Sequence, residues 1–114
     1  SFVKKKERQA IVRNNTSYGD IIEEFLVKRN DIKMEAATIT LPPGAGRPEC
    51  VEHQGEELAF VLSGAVEIHL EGVGEYLLEE GDTLYYPCSI PHSFRNASEE
   101  QESVFLFVAT PPNF

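Results

Sequence analysis

The chain is poor in the features that staple, anchor or attach a protein to nucleic acid. Its two cysteines, Cys50 and Cys88, are too few for a disulfide framework and are expected as free thiols. A reduced, cytoplasmic setting is the expectation that follows. No run of apolar residues is long enough to span a membrane as a helix. The longest near the C-terminus, Val104-Phe105-Leu106-Phe107-Val108-Ala109, has the length of a strand. The chain does not open with a charged region followed by an apolar core, so no signal peptide is expected. Basic residues are scarce: ten Lys and Arg stand against nineteen Asp and Glu, for a net charge of −9. Such a surface repels a phosphate backbone and excludes direct nucleic-acid binding as the main role. The one basic cluster, Lys4-Lys5-Lys6 with Arg8, reads as a solvated edge.

What is present is the material of a small all-β domain. The 114 residues fit one domain, 1–114, with no repeat and no low-complexity linker. Turn signals recur every eight to twelve residues or so, the rhythm of sandwiches and barrels. They include Asn14-Asn15, Tyr18-Gly19-Asp20, Arg29-Asn30-Asp31, Pro42-Pro43-Gly44, Ser63-Gly64, Gly72 with Gly74, and Glu80-Gly81-Asp82.

Between the turns lie short β-rich runs. Lys6 to Val12 and Ile21 to Lys28 are expected as extended segments, although Ile21, Ile22, Phe25 and Leu26 also fit a helical period. Met34 to Leu41 alternates. Leu58 to Leu62 is continuously apolar, as in a strand covered on both faces. Val66, Ile68 and Leu70 alternate with Glu67, His69 and Glu71, which places His69 on a wet face with two glutamates. Thr83 to Tyr86 and Val104 to Ala109 complete the set. Gly44-Ala45-Gly46 reads as a loop. Asn96 and Asp82 read as turn residues.

Two segments carry candidate chemistry. In the first, His53-Gln54-Gly55-Glu56-Glu57, a tight turn joins a histidine to a glutamate that can point into the same cavity. In the second, a proline-bracketed loop from Pro87 to Pro91 delivers His92 to the start of a new strand. Two imidazoles and one carboxylate form a set that first-row divalent metals use, as in the facial triad of non-haem iron sites. Glu56 should face solvent.

These segments resemble the two cupin motifs. Glu57 is followed at the motif's spacing by Gly64, and the second motif reads Gly81, Pro87, His92 and Asn96. The resemblance implies an all-β cupin fold, a double-stranded β-helix of jelly-roll-like barrel form. It also implies a metal site at His53, Glu57 and His92 for a divalent ion such as Fe, Zn, Ni or Mn. The motif's first histidine falls on Val51, which cannot ligate. Three ligands then either hold a metal or mark a site that binds an organic molecule alone. Val51, Tyr85 and Phe94 are the expected ligand-pocket residues. Of Tyr85 and Tyr86, one should line the cavity and the other pack outside.

A closer likeness joins these motifs to Thr110-Pro111-Pro112 and Phe114. It is to the C-terminal cupin of bacterial helix-turn-helix regulators of the xenobiotic-response-element type. Phe2 to Arg8 resembles the first strand of such a cupin. That likeness implies a C-terminal fragment of a transcriptional regulator. It would sense a small polar or anionic ligand, form a homodimer, and reach DNA only through an N-terminal domain absent from these residues. The same three-ligand pattern resembles an iron-dependent phosphonate epoxidase, so a mononuclear non-haem oxygenase, epoxidase or isomerase is the alternative.

Overall fold

The computed structural model describes residues 1–15, 17–27 and 33–112. The expected turn at Arg29-Asn30-Asp31 and the motif position Phe114 lie outside them. After a short 3-10 turn at Lys5–Glu7, ten strands follow: β1 (Ala10–Asn15), β2 (Gly19–Phe25), β3 (Glu35–Leu41), β4 (Gly46–Val51), β5 (Glu56–Ser63), β6 (Ala65–Leu70), β7 (Gly74–Glu79), β8 (Thr83–Pro87), β9 (His92–Asn96) and β10 (Ser103–Thr110). They form a six-stranded sheet in the order β1-β2-β3-β10-β5-β8 and a four-stranded sheet in the order β4-β9-β6-β7. Every strand pair is antiparallel.

The core lies between the sheets and follows the pleat. Along β10, Phe105, Phe107 and Ala109 are buried while Val104, Leu106 and Val108 are only partly covered. Along β6, Val66, Ile68 and Leu70 are buried, and Glu67 and His69 face outward as expected. His69 lies 3.6 Å from the Glu75 carboxylate, on the far face from the cavity. The inner faces of β3 and β5 add Ala37, Ile39, Leu41, Ala59 and Val61.

Several expectations are corrected. The opening segment Phe2 to Arg8 is not a strand; the 3-10 turn occupies it, and β1 begins at Ala10. Residues Ile21 to Phe25 are extended as expected, since pairing with β1 and β3 overrides the helical period. Asn14 and Asn15 sit inside β1 rather than in the turn. β4 and β7 escaped the sequence reading. In β4 a proline and a glycine mask the pattern, and in β7 one buried residue, Leu78, gives no visible alternation. β5 is covered on one face only: Leu58 and Leu62 are 42% and 41% exposed, opposite buried Ala59 and Val61. Apolar composition alone cannot distinguish a doubly covered strand from one with a greasy outer face.

Asn96 ties the fold together. Its buried amide nitrogen lies 3.2, 3.0 and 2.8 Å from the carbonyls of Leu41, Pro42 and Gln101, and its Oδ1 accepts from the Ser98 N–H. Ser103 Oγ sits 2.8 Å from the same Oδ1 and accepts from the Ala65 N–H. Gly64 meets this cluster at φ +77°, where a Cβ would stand 2.2 Å from Ser103 Oγ. Asn96 is therefore a buried hub linking both sheets, beyond the turn role its sequence suggests. Asn96→Ala leaves several buried carbonyls without a donor and is expected to lower stability by at least about 2 kcal/mol in urea unfolding. An unchanged midpoint would refute that role.

Candidate metal centre

The two chemical segments meet at one end of the inter-sheet space. Gly55 makes the first turn possible: its φ is +102°, and a Cβ there would lie 2.0 Å from the Thr110 carbonyl oxygen. A reciprocal pair of main-chain hydrogen bonds then joins the loops. His53 N–H donates to the Cys88 carbonyl at 3.0 Å, and Cys88 N–H donates to the Gly55 carbonyl at 2.8 Å. The second loop is closed by Ile90 N–H on the Pro87 carbonyl at 3.2 Å, and Val51 pairs across the ladder with His92.

This places His53, Glu57 and His92 together, as the spacing suggested, and adds Cys88. One ligand atom from each of the four lies within 4.8 Å of every other. The imidazoles are 5.4 Å apart between centroids and nearly edge-on. His53 Nδ1 lies 3.0 Å from the Gln54 carbonyl, and His92 Nδ1 lies 2.8 Å from that of Ile90. A carbonyl only accepts, so each ring carries its proton on Nδ1 and keeps the Nε2 lone pair for a ligand. Tyr86 donates its hydroxyl to Glu57 Oε2 and holds that carboxylate in place. Imidazoles oriented by carbonyls, beside a carboxylate oriented by a phenol, fit a divalent first-row metal.

A cavity of about 360 Å³ opens beside the cluster. Val51 and Phe94 line it, as expected. Tyr85 does not: it is 57% exposed on the outer face, and Tyr86 takes the inward place. The pleat decides this, because Tyr86 pairs with Glu57 and Tyr85 with outward-facing Leu58. Cys50 and Cys88 are both free, the first exposed and the second buried.

The charged lining residues Arg13, Glu23, Glu35, Arg47 and Glu49 were missed from sequence. Glu23 is buried on β2 and receives Arg13 Nε at 3.3 Å. Arg47 lies with its guanidinium 4.9 Å from the centre of the Phe94 ring, and its Nε is buried without a hydrogen-bond partner. Simple alternation does not find Arg47, because the register of β4 against β9 shifts between Arg47 and Val51.

The electrostatics follow from burial. Burial holds His92 below the ordinary histidine value. The Ile90 carbonyl and Glu57 oppose that shift, and His53 and Arg47 reinforce it. Burial and then Glu57 push the Tyr86 hydroxyl far up, so it remains a proton donor. Burial, helped by Glu57 and Glu56, pushes the Cys88 thiol up to about 12. Burial also lowers Arg47, with Glu57 and Tyr86 in opposition, but a guanidinium stays charged.

Comparison with known proteins agrees with this fold. The family profile described as a cupin domain matches residues 37–109, well over half of the chain. The chain belongs to the cupin family. The solved structure of KdgF from a Halomonas species superposes with a TM-score of 0.77 at 19% identity, covering 99% of this chain and 96% of that one. An RmlC-like cupin from Shewanella frigidimarina gives 0.74 at 17% identity, covering 98% and 91%. At those identities the likeness establishes the fold. The HTH-type transcriptional regulator PuuR of Escherichia coli is 39% identical over 59 residues. That segment is 52% of this chain and spans 31% of the regulator's length. Among the described residues, no helix is long and apolar enough to cross a membrane.

His92 gives the pH test. Its folded value is depressed, so the unfolded chain binds the proton more tightly. Stability is full above the unfolded histidine value, about 6.5, and is lost as pH falls from there through the lower folded value. The metal-free protein is expected to lose unfolding midpoint on acidification across that window, and His92→Gln to flatten the slope. Equal slopes would contradict the assignment.

Proposed function

We propose that this cupin is the ligand-sensing part of a bacterial transcriptional regulator, acting in the cytoplasm. Residues 1–114 would form one C-terminal sensory unit. DNA would be contacted by a helix-turn-helix elsewhere in the longer protein. The similarity to PuuR supports this setting, and the acidic chain supports a sensory rather than DNA-contacting role. The observation that carries the ligand reading is the convergence of His53, Glu57 and His92 on the wall of the cavity.

His53, Glu57 and His92 would hold a divalent ion through the two Nε2 atoms and a Glu57 oxygen. A bound ion supplies a positive attachment point for an oxygen of the ligand. Arg47 supplies a second. Its guanidinium is charged and lies over the Phe94 ring, and its buried Nε has no hydrogen-bond partner among the described residues. Together they favour a small polar or anionic molecule, for example a carboxylate. Val51 and Phe94 shape the apolar wall. Ligand entry shifts the balance between two dimer geometries by its differential affinity for them.

Metal analysis tests the centre. The purified protein is expected to retain or take up about one divalent ion per chain, and His92→Ala to lose it. Equal metal content in the two would remove these ligands. With the metal-loaded protein, small carboxylates should raise the melting temperature, and Arg47→Gln should abolish the rise.

The homodimer has its own support. Leu58, Phe60, Leu62 and Tyr85 form an exposed apolar row on the outer face of the six-stranded sheet. A second copy covering that row would bury it. Phe60→Lys is expected to convert a dimer to a monomer in light scattering. A monomeric parent, or a variant that stays dimeric, would refute this interface.

A further inference from the structure

We propose that Cys88 is a fourth ligand of the metal centre, its thiolate completing the set begun by His53, Glu57 and His92. This rests on the metal reading above and goes beyond it by assigning a donor that the two-histidine, one-carboxylate pattern does not contain.

Position carries the inference first. A ligand atom of Cys88 lies within the same 4.8 Å limit as those of the two histidines and the glutamate. Cys88 is wholly buried and does not line the cavity, whereas the other three do. The sulfur therefore sits on the closed side of the cluster. An ion held there would have protein donors behind it and open positions toward the cavity. The placement is fixed by main chain: Cys88 both donates to Gly55 and accepts from His53. No rearrangement of the chain is needed to bring the thiol to the imidazole.

The surroundings point the same way. A buried cysteine that only fills space sits among apolar side chains. This one, although part of the apolar core, also has donor atoms of two imidazoles and a carboxylate within 4.8 Å. His92 is 3% exposed, spends Nδ1 on the Ile90 carbonyl and leaves Nε2 without a hydrogen-bond partner among the described residues. Val51, which β4 brings opposite His92, has no donor atom to offer. Charge balance adds to the case. One carboxylate and one thiolate neutralise a divalent cation, which lowers the cost of holding it in a buried cluster. As the sulfur–metal bond forms, the thiol proton leaves to solvent. A thiolate also selects the metal: it disfavours the hard ions Mg, Ca and Mn and favours Zn, Fe, Co or Ni.

Cobalt(II) substitution under reducing conditions reads the sulfur directly. The parent protein loaded with Co(II) should show a thiolate-to-cobalt charge-transfer band in the near ultraviolet. Cys50→Ser should keep the band. Cys88→Ser should lose it, still bind cobalt through the remaining groups, and bind at least about tenfold more weakly, no less than the loss of an outer-shell partner. Circular dichroism checks that each variant is folded, and Cys88→Ala serves if the serine variant is not. The parent spectrum decides the matter even if both fail. Cobalt bound without the band, or a band that survives loss of Cys88, overturns the assignment and leaves the three-ligand centre standing. No cobalt uptake by the parent overturns both.

Discussion

The site depends on two main-chain hydrogen bonds between loops more than thirty residues apart, from His53 to the Cys88 carbonyl and from Cys88 to the Gly55 carbonyl. Each costs little to form once the sheets are in place, and together they fix the spacing of everything chemical. Without them the His53 turn would be tied to the Pro87–Pro91 loop by no main-chain bond, while His92 is held by β9 in its ladders with β4 and β6. With them, four potential donor atoms fall inside a sphere of metal-site size. A Cβ on Gly55 would destroy the closeness that brings these donor atoms together.

Around that clamp the donors are prepared by their partners. Two main-chain carbonyls set the imidazole tautomers, and one phenol sets the carboxylate. Tyr86 is buried in β8, while Gln54 and Ile90 belong to the two loops that the main-chain bonds hold together. The opposite part of the cavity is built differently. There Arg13 is satisfied by Glu23, and Arg47 rests on Phe94. The same small space thus combines a donor cluster suited to a cation with a guanidinium suited to an anion. A sensor that grips a polar molecule at two points needs that combination.

Some of this was legible in the residues. Turn chemistry and alternation placed β2, β3, β6, β8 and β10 to within a few residues, because a sheet with one dry face imposes its period on the sequence. The histidine–glycine–glutamate turn and the proline-bracketed loop pointed to His53, Glu57 and His92 as candidate ligands, because rigid turns need particular residues. Other features left no local trace. β4 is a strand because β9 pairs with it, and its Gly-Arg-Pro start reads as loop. Leu58, Phe60 and Leu62 look like core and are partly exposed, since composition does not say which face is covered. Asn96 looks like a turn residue, and its role as a hub depends on carbonyls far away in the chain.

By itself, the sequence determined the all-β class, the family resemblance and three of the four potential metal donors. Each of these is written in short-range spacing, which the backbone's period and the turn residues translate directly. Tertiary structure alone decided that Tyr86 rather than Tyr85 faces inward, that Arg47 reaches the cavity, and that Cys88 closes the donor cluster. Those facts depend on strand register and on contacts between distant segments, and a one-residue change in register would exchange every inward side chain for its neighbour.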